Sequence, residues 1–145
     1  MSFLAITGLF NFFICTFFGA FVLIKNPRNP LNRNVCYVNA GIVLYSIGYF
    51  FWQLSKNESD AMFWFKILCI GIIVIIATLL HYTFALVGKY KKKKKELIIY
   101  YIINGIFIVL NIGSFLYADI EPRFGLRFWP VPTVLFHIYL AFWCC

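Results

Sequence analysis

Charge is scarce in this sequence. Asp and Glu number five among 145 residues and Lys and Arg thirteen, so charged residues make up 12% of the chain against 63% hydrophobic. A soluble domain of this length could not cover itself in water with so little polar surface. That excludes a soluble enzyme or binding domain and leaves lipid as the implied solvent. Carboxylates are missing from every long apolar run, so no paired intramembrane acids are available. The two histidines, His81 and His137, form no His-x-x-x-His or His-Glu-x-x-His motif, and neither a Gly-x-Ser-x-Gly elbow nor a phosphate-cradling glycine loop occurs. Cys15, Cys36 and Cys69 match no metal or redox spacing and read as small packing residues. On these grounds no catalytic residue, cofactor or metal site is assigned, and the chain is not expected to be an enzyme.

What is present is five uncharged runs, Ser2 to Ile24, Asn34 to Ser55, Ile67 to Gly88, Leu97 to Ala118 and Phe128 to Cys145, separated by short charged loops. A bilayer core of ~30 Å takes about 20 residues of helix, and the first four runs reach that length. They are unbroken and rich in Ile, Leu and Phe rather than alternating, which selects helices over a barrel. The first run has no basic segment before it and no small-x-small cleavage site before Lys25, so it reads as a retained helix rather than a secretory signal. Pro130 and Pro132 delay the fifth helix to about Thr133, too late to cross the core, and no basic stop follows it. The expectation is an all-α, polytopic transmembrane bundle in one membrane domain, 1–145. Its helices lie near 2–24, 35–55, 63–88, 97–118 and 133–145, four full spans and an incomplete fifth, with the chain truncated inside the last span.

The loops carry net charges of +3 (Lys25, Arg28, Arg33), zero, +5 (Lys89, Lys91 to Lys95, Glu96) and zero, which account for the formal +8. Because Lys- and Arg-rich short loops stay cytoplasmic, loops one and three are placed inside and the amino terminus outside. Nine of the thirteen positive charges fall in those two loops, so topology explains the basic balance and no nucleic-acid partner is implied. The lysine run also suits nonspecific contact with anionic headgroups.

Polar residues recur at seven-residue spacing, as Asn39, Ser46 and Gln53 in the second run and Asn104 and Asn111 in the fourth, so each set forms one stripe facing a neighbouring helix. Gly8, Cys15 and Gly19 in the first run, with Gly41 and Gly48 in the second, suit close backbone approach. The stripes are read as bonds between helices; lining a path in a small transporter or channel subunit is the competing reading. Against it, neither an internal repeat nor an interrupted helix with a mid-depth charge is visible. Aromatics crowd the outer ends at Phe50, Phe51, Trp52, Phe63, Trp64, Phe65, Phe128 and Trp129, as an interfacial belt does. Lys66, one turn inside that edge, is expected to snorkel to the interface. Trp52, Trp64, Arg123, Arg127 and Trp129 are the candidate ligand-contact residues around the outer mouth. His81, ionisable near neutral pH and inside a membrane run, is the candidate buried switch.

The order of landmarks carries a resemblance. Asn26-Pro27-Arg28-Asn29-Pro30 through Arg33, then Gly48-Tyr49-Phe50-Phe51-Trp52-Gln53, Phe63-Trp64-Phe65-Lys66, Leu79-Leu80-His81-Tyr82, and Arg123-Phe124-Gly125-Leu126-Arg127-Phe128-Trp129-Pro130 resembles the amino-terminal seven-helix sensory domain of bacterial membrane histidine kinases. The likeness covers about the first four and a half helices. It implies a sensory input module in the bacterial cytoplasmic membrane, with an outward amino terminus, no kinase activity in this segment, and a cytoplasmic signalling domain downstream. The implied partners are the bilayer, that signalling domain and, in a homodimer, a second copy.

Overall fold

Two helices in this protein start where an asparagine caps them rather than where the apolar run begins. The computed structural model describes residues 3–144; Ser2 and Cys145, expected at the ends of the first and fifth helices, lie outside them. The helices are α1 (Phe3–Lys25), α2 (Pro30–Leu54), α3 (Glu58–Leu86), α4 (Lys94–Ile112) and α5 (Val134–Cys144), with strands β1 (Tyr117–Arg123) and β2 (Leu126–Pro132) between the last two. The first four helices are long and apolar enough to cross a membrane, and α5 is a shorter apolar helix.

α2 begins at Pro30, not near 35, because the Asn29 side chain accepts from the Leu31 amide at 2.9 Å and Pro30 occupies the first turn, where its missing N–H costs nothing. α3 begins at Glu58, not near 63. Asn57 accepts from the Asp60 amide at 2.8 Å, and Glu58 and Asp60 place negative charge against the positive end of the helix dipole. Both starts extend past the apolar run into charged, solvent-exposed sequence.

The all-α reading holds for the spans and needs one addition. α4 ends at Ile112 instead of near 118: the chain turns through Gly113 and Ser114, the latter at φ 66, and then enters an antiparallel β-hairpin. Apolar character continues through Phe115, Leu116 and Tyr117, so hydropathy alone could not find the stop. Phe124 and Gly125, at φ 53 and 75, form the two-residue turn between Arg123 and Leu126, the combination that matches the twist of a tight hairpin. Pro130 and Pro132 are tolerated in β2 because this sheet has only two strands and every strand is an edge.

α2 packs against α1 on one side and α3 on the other, and α4 packs against α3. Large apolar side chains cover the outside of the bundle, and several polar side chains are turned inward among apolar ones. Phe17 is 72% exposed, whereas Ser46 and Asn111 are fully buried. The polar stripes make local and interhelical bonds: Asn11 donates to Ser46 at 2.9 Å, tying α1 to α2, and Asn39 and Asn104 donate to carbonyls one turn back. Tyr139 donates to Asn104 at 3.3 Å, tying α5 to α4. At such contacts the bond is worth roughly 0.6 to 2 kcal/mol.

Candidate functional site

A buried cluster of Trp52, Ala61, Leu68, Cys69, Leu116 and Tyr117 lies where the hairpin meets the bundle. The hairpin is held there by bonds from three directions. From α2, the Trp52 indole Nε1 donates to the Phe128 carbonyl of β2 at 2.9 Å. From α3, the Cys69 thiol and the Tyr117 hydroxyl share a hydrogen bond at 2.9 Å, and burial pushes the Tyr117 phenol far above its usual range, so it stays neutral. At the far end of the hairpin the Thr133 amide donates to the Leu116 carbonyl at 2.9 Å and its hydroxyl to the Phe115 carbonyl at 2.8 Å, closing the base before α5 starts.

α3 and α4 are tied just beneath. Lys66 Nζ donates to the Ile112 carbonyl at 3.1 Å and to the Ser114 hydroxyl at 2.6 Å, while Asn111 donates to the Lys66 carbonyl at 2.9 Å. Lys66 therefore does more than reach the interface. Its ammonium sits on the last carbonyl of α4, where the helix dipole is negative. Replacing Lys66 with methionine is expected to lower stability by about 1 to 2 kcal/mol, the loss of a charged bond to a helix end. Lys66→Arg should retain most of it, with thermal unfolding in detergent as the measurement.

Of the predicted site residues, Trp52, Arg127 and Trp129 meet where β2 lies against α2. The Trp52 and Trp129 rings lie 6.1 Å apart, Phe124 meets Trp129 edge-on at 5.4 Å, and the Arg127 guanidinium lies over the Phe128 ring at 5.1 Å. Between the end of α2 and β2 is a cleft of about 50 Å³ lined by Trp52, Gln53, Ser55, Leu126, Arg127 and Phe128. That is room for a water or two rather than for a drug-sized molecule.

The others are placed apart. Trp64 stacks on Phe51 at 4.3 Å within the α2–α3 seam. Arg123 pairs with Glu121 at 2.8 Å near the hairpin tip, both about half exposed. His81 stands at the opposite, lysine-rich end of α3, with its Nδ1 2.9 Å from the Tyr101 hydroxyl and its ring stacked on Tyr90 at 5.2 Å. Sequence reasoning passed over Tyr117 and Thr133 as hairpin anchors, and it read Cys69 only as packing. Among the described residues, no three His, Cys, Asp or Glu side chains are grouped to hold a metal ion.

Comparison with known proteins gives one match. A family model described as the N-terminal 7TM region of histidine kinase matches residues 6–143. No curated protein and no solved structure matches the chain.

Proposed function

The chain belongs to the N-terminal 7TM region of histidine kinase family, and from that premise we propose that it is a membrane-embedded sensory module with no catalysis of its own. It receives a cue at the hairpin end and passes a helix displacement to a signalling domain on the other side of a bacterial cytoplasmic membrane. The observation that carries this is the Trp52 bond to Phe128: a side chain near the end of a membrane-crossing helix holds the strand that caps the bundle. Anything that shifts β2 pulls directly on α2. Lys66 and Asn111 extend the same coupling to α3 and α4. A cue acts through such a device only by binding two arrangements of the hairpin unequally.

The direction of signalling follows from charge. Lys89 and Lys91 to Lys95 belong on the cytoplasmic side, so the hairpin faces outward together with the amino terminus. Epitope tags inserted at the hairpin tip beside Phe124 and in the connector beside Lys93 test this in cells. The tip tag should bind antibody on intact spheroplasts, and the connector tag only after the membrane is permeabilised. The reverse pattern would turn the module around and end the outward-sensing reading.

A further inference from the structure

At the lysine-rich end, a cavity of about 670 Å³ opens between the start of α2, the end of α3 and the connector that follows it; Arg33, Asn34, Tyr37, His81, Tyr90 and Lys91 are among the residues that line it. Two of those six are permanent cations from separate elements, and none is a carboxylate. Among the described residues the Arg33 guanidinium makes no ion pair and donates to the Tyr37 hydroxyl at 3.4 Å, a neutral partner that leaves the charge uncompensated. Lys91 makes no ion pair among the described residues, unlike Lys93, whose ammonium is held by Glu96 at 2.6 Å.

The third observation is Asn34. The residue is 5% exposed, and its side-chain amide makes no hydrogen bond among the described residues. Its polar atoms are not sealed in the interior; they belong to a residue that lines the cavity the two cations border, so the amide is free to donate to a group bound there. His81 adds to this: in the tautomer where Tyr101 donates to Nδ1, the ring's Nε2–H remains a donor. The cavity thus offers an excess of donors and positive charge at the depth of the headgroups.

We propose that this cavity binds a phosphate ester, held between Arg33 and Lys91 with the Asn34 amide donating to a phosphate oxygen. Phosphate is the anion that fits: arginine and lysine both bind it, and it accepts several hydrogen bonds at once. An anionic phospholipid headgroup or a soluble phosphate ester would each supply it. This differs from diffuse attraction of a lysine run to a membrane, because it assigns distinct roles to lysines one residue apart. It does not depend on which face of the membrane the lysine end occupies.

The full chain is purified and incorporated into phosphatidylcholine bilayers with and without phosphatidylglycerol. Bound lipid is counted by native mass spectrometry, and thermal unfolding is followed. A second arm uses phosphatidylcholine alone with added inorganic phosphate or glycerol phosphate. In about 0.5 M salt, which screens diffuse attraction, Lys91→Gln and Asn34→Leu are each expected to weaken binding about tenfold, the loss of a direct bond to a charged acceptor. Lys92→Gln, which changes the charge equally but does not line the cavity, should leave binding within about twofold at that salt. Selective retention of phosphatidylglycerol supports a lipid source, and stabilisation by the soluble anions supports a free phosphate ester. Equal losses in the Lys91 and Lys92 variants, unchanged binding in Asn34→Leu, or no binding in either arm would overturn the proposal.

Discussion

Replacing Gly71 with alanine is expected to push α2 and α3 apart and destabilise the bundle by about 2 to 3 kcal/mol, the upper part of the range for overpacking a tight interface. A methyl group at Gly71 would lie 2.7 Å from Tyr45 Cα and closer still to that residue's amide nitrogen. One at Gly48 would lie 2.8 Å from Leu68 Cα and 2.9 Å from the Trp64 carbonyl oxygen. These obstacles are backbone atoms of the facing helix, so no side-chain rotation can relieve the clash. In lipid there is little hydrophobic drive between helices, and their association rests on van der Waals contact at small residues. Separating the two backbones therefore removes the main attraction along this seam.

The matched control is Gly105→Ala in α4, where nothing lies within 4 Å of the added carbon. That change should stabilise by roughly 0.5 to 1 kcal/mol, because alanine is the better helix former. Unfolding in a fixed detergent, followed by helical circular dichroism, should separate the two variants by on the order of 10 °C, given about 2 to 4 °C per kcal/mol for a chain of this size. If Gly71→Ala melted with the unmodified protein, α2 and α3 would not be in the contact described. The effects of Gly48→Ala and Gly71→Ala should not add, because both act on one interface and the first to separate the helices leaves less for the second.

The number of spans could be read from the sequence because long uncharged runs are a signal of solvent, and the solvent is what those residues answer to. The helix ends could not be read in the same way. Asn29 and Asn57 start their helices by accepting amide protons, and Ser114 helps end α4 by its backbone conformation. None of these acts changes hydropathy. The hairpin was hidden for the same reason, since Leu116 and Tyr117 are as apolar as a membrane helix but are buried in a turn and strand against the bundle. Phe124-Gly125 was the available clue, a glycine-bearing two-residue turn followed by the strand-forming Phe128 and Trp129.

The candidate site was legible only in part. The aromatics counted at the helix ends include Trp52 and Trp129, whose rings the fold brings to within 6.1 Å of each other. The interfacial-belt rule could not distinguish Trp52, whose indole holds the hairpin, from Trp64, whose ring stacks within the seam. Lys66 looked like a side chain escaping to water. Its partners, Ile112 and Ser114, lie 46 and 48 residues away and become visible only when α4 has been placed beside α3.

The most informative single substitution for signalling is Trp52→Phe, with Trp52→Ala as its severe counterpart. Phenylalanine keeps an aromatic ring against Phe65 and Tyr49, which meet Trp52 at 5.3 and 5.9 Å, but cannot donate to the Phe128 carbonyl. Losing one such bond costs about 1 to 1.5 kcal/mol, enough to raise amide exchange in Leu126–Pro132 roughly five- to tenfold if the hairpin opens as a unit. Alanine also removes the buried ring and should cost about 3 to 5 kcal/mol, undocking β2 from α2 altogether. On the sensory reading proposed above, Trp52→Phe is therefore expected to blunt the response while leaving the amount of membrane-inserted protein unchanged, and Trp52→Ala to abolish it. The contrast separates coupling from folding: a merely structural Trp52 would lose protein and response together in both variants. If exchange in β2 and the response both stayed at their unmodified levels in Trp52→Phe, the hairpin would move independently of α2, and the route from cap to helix would have to run through Lys66 and Asn111 instead.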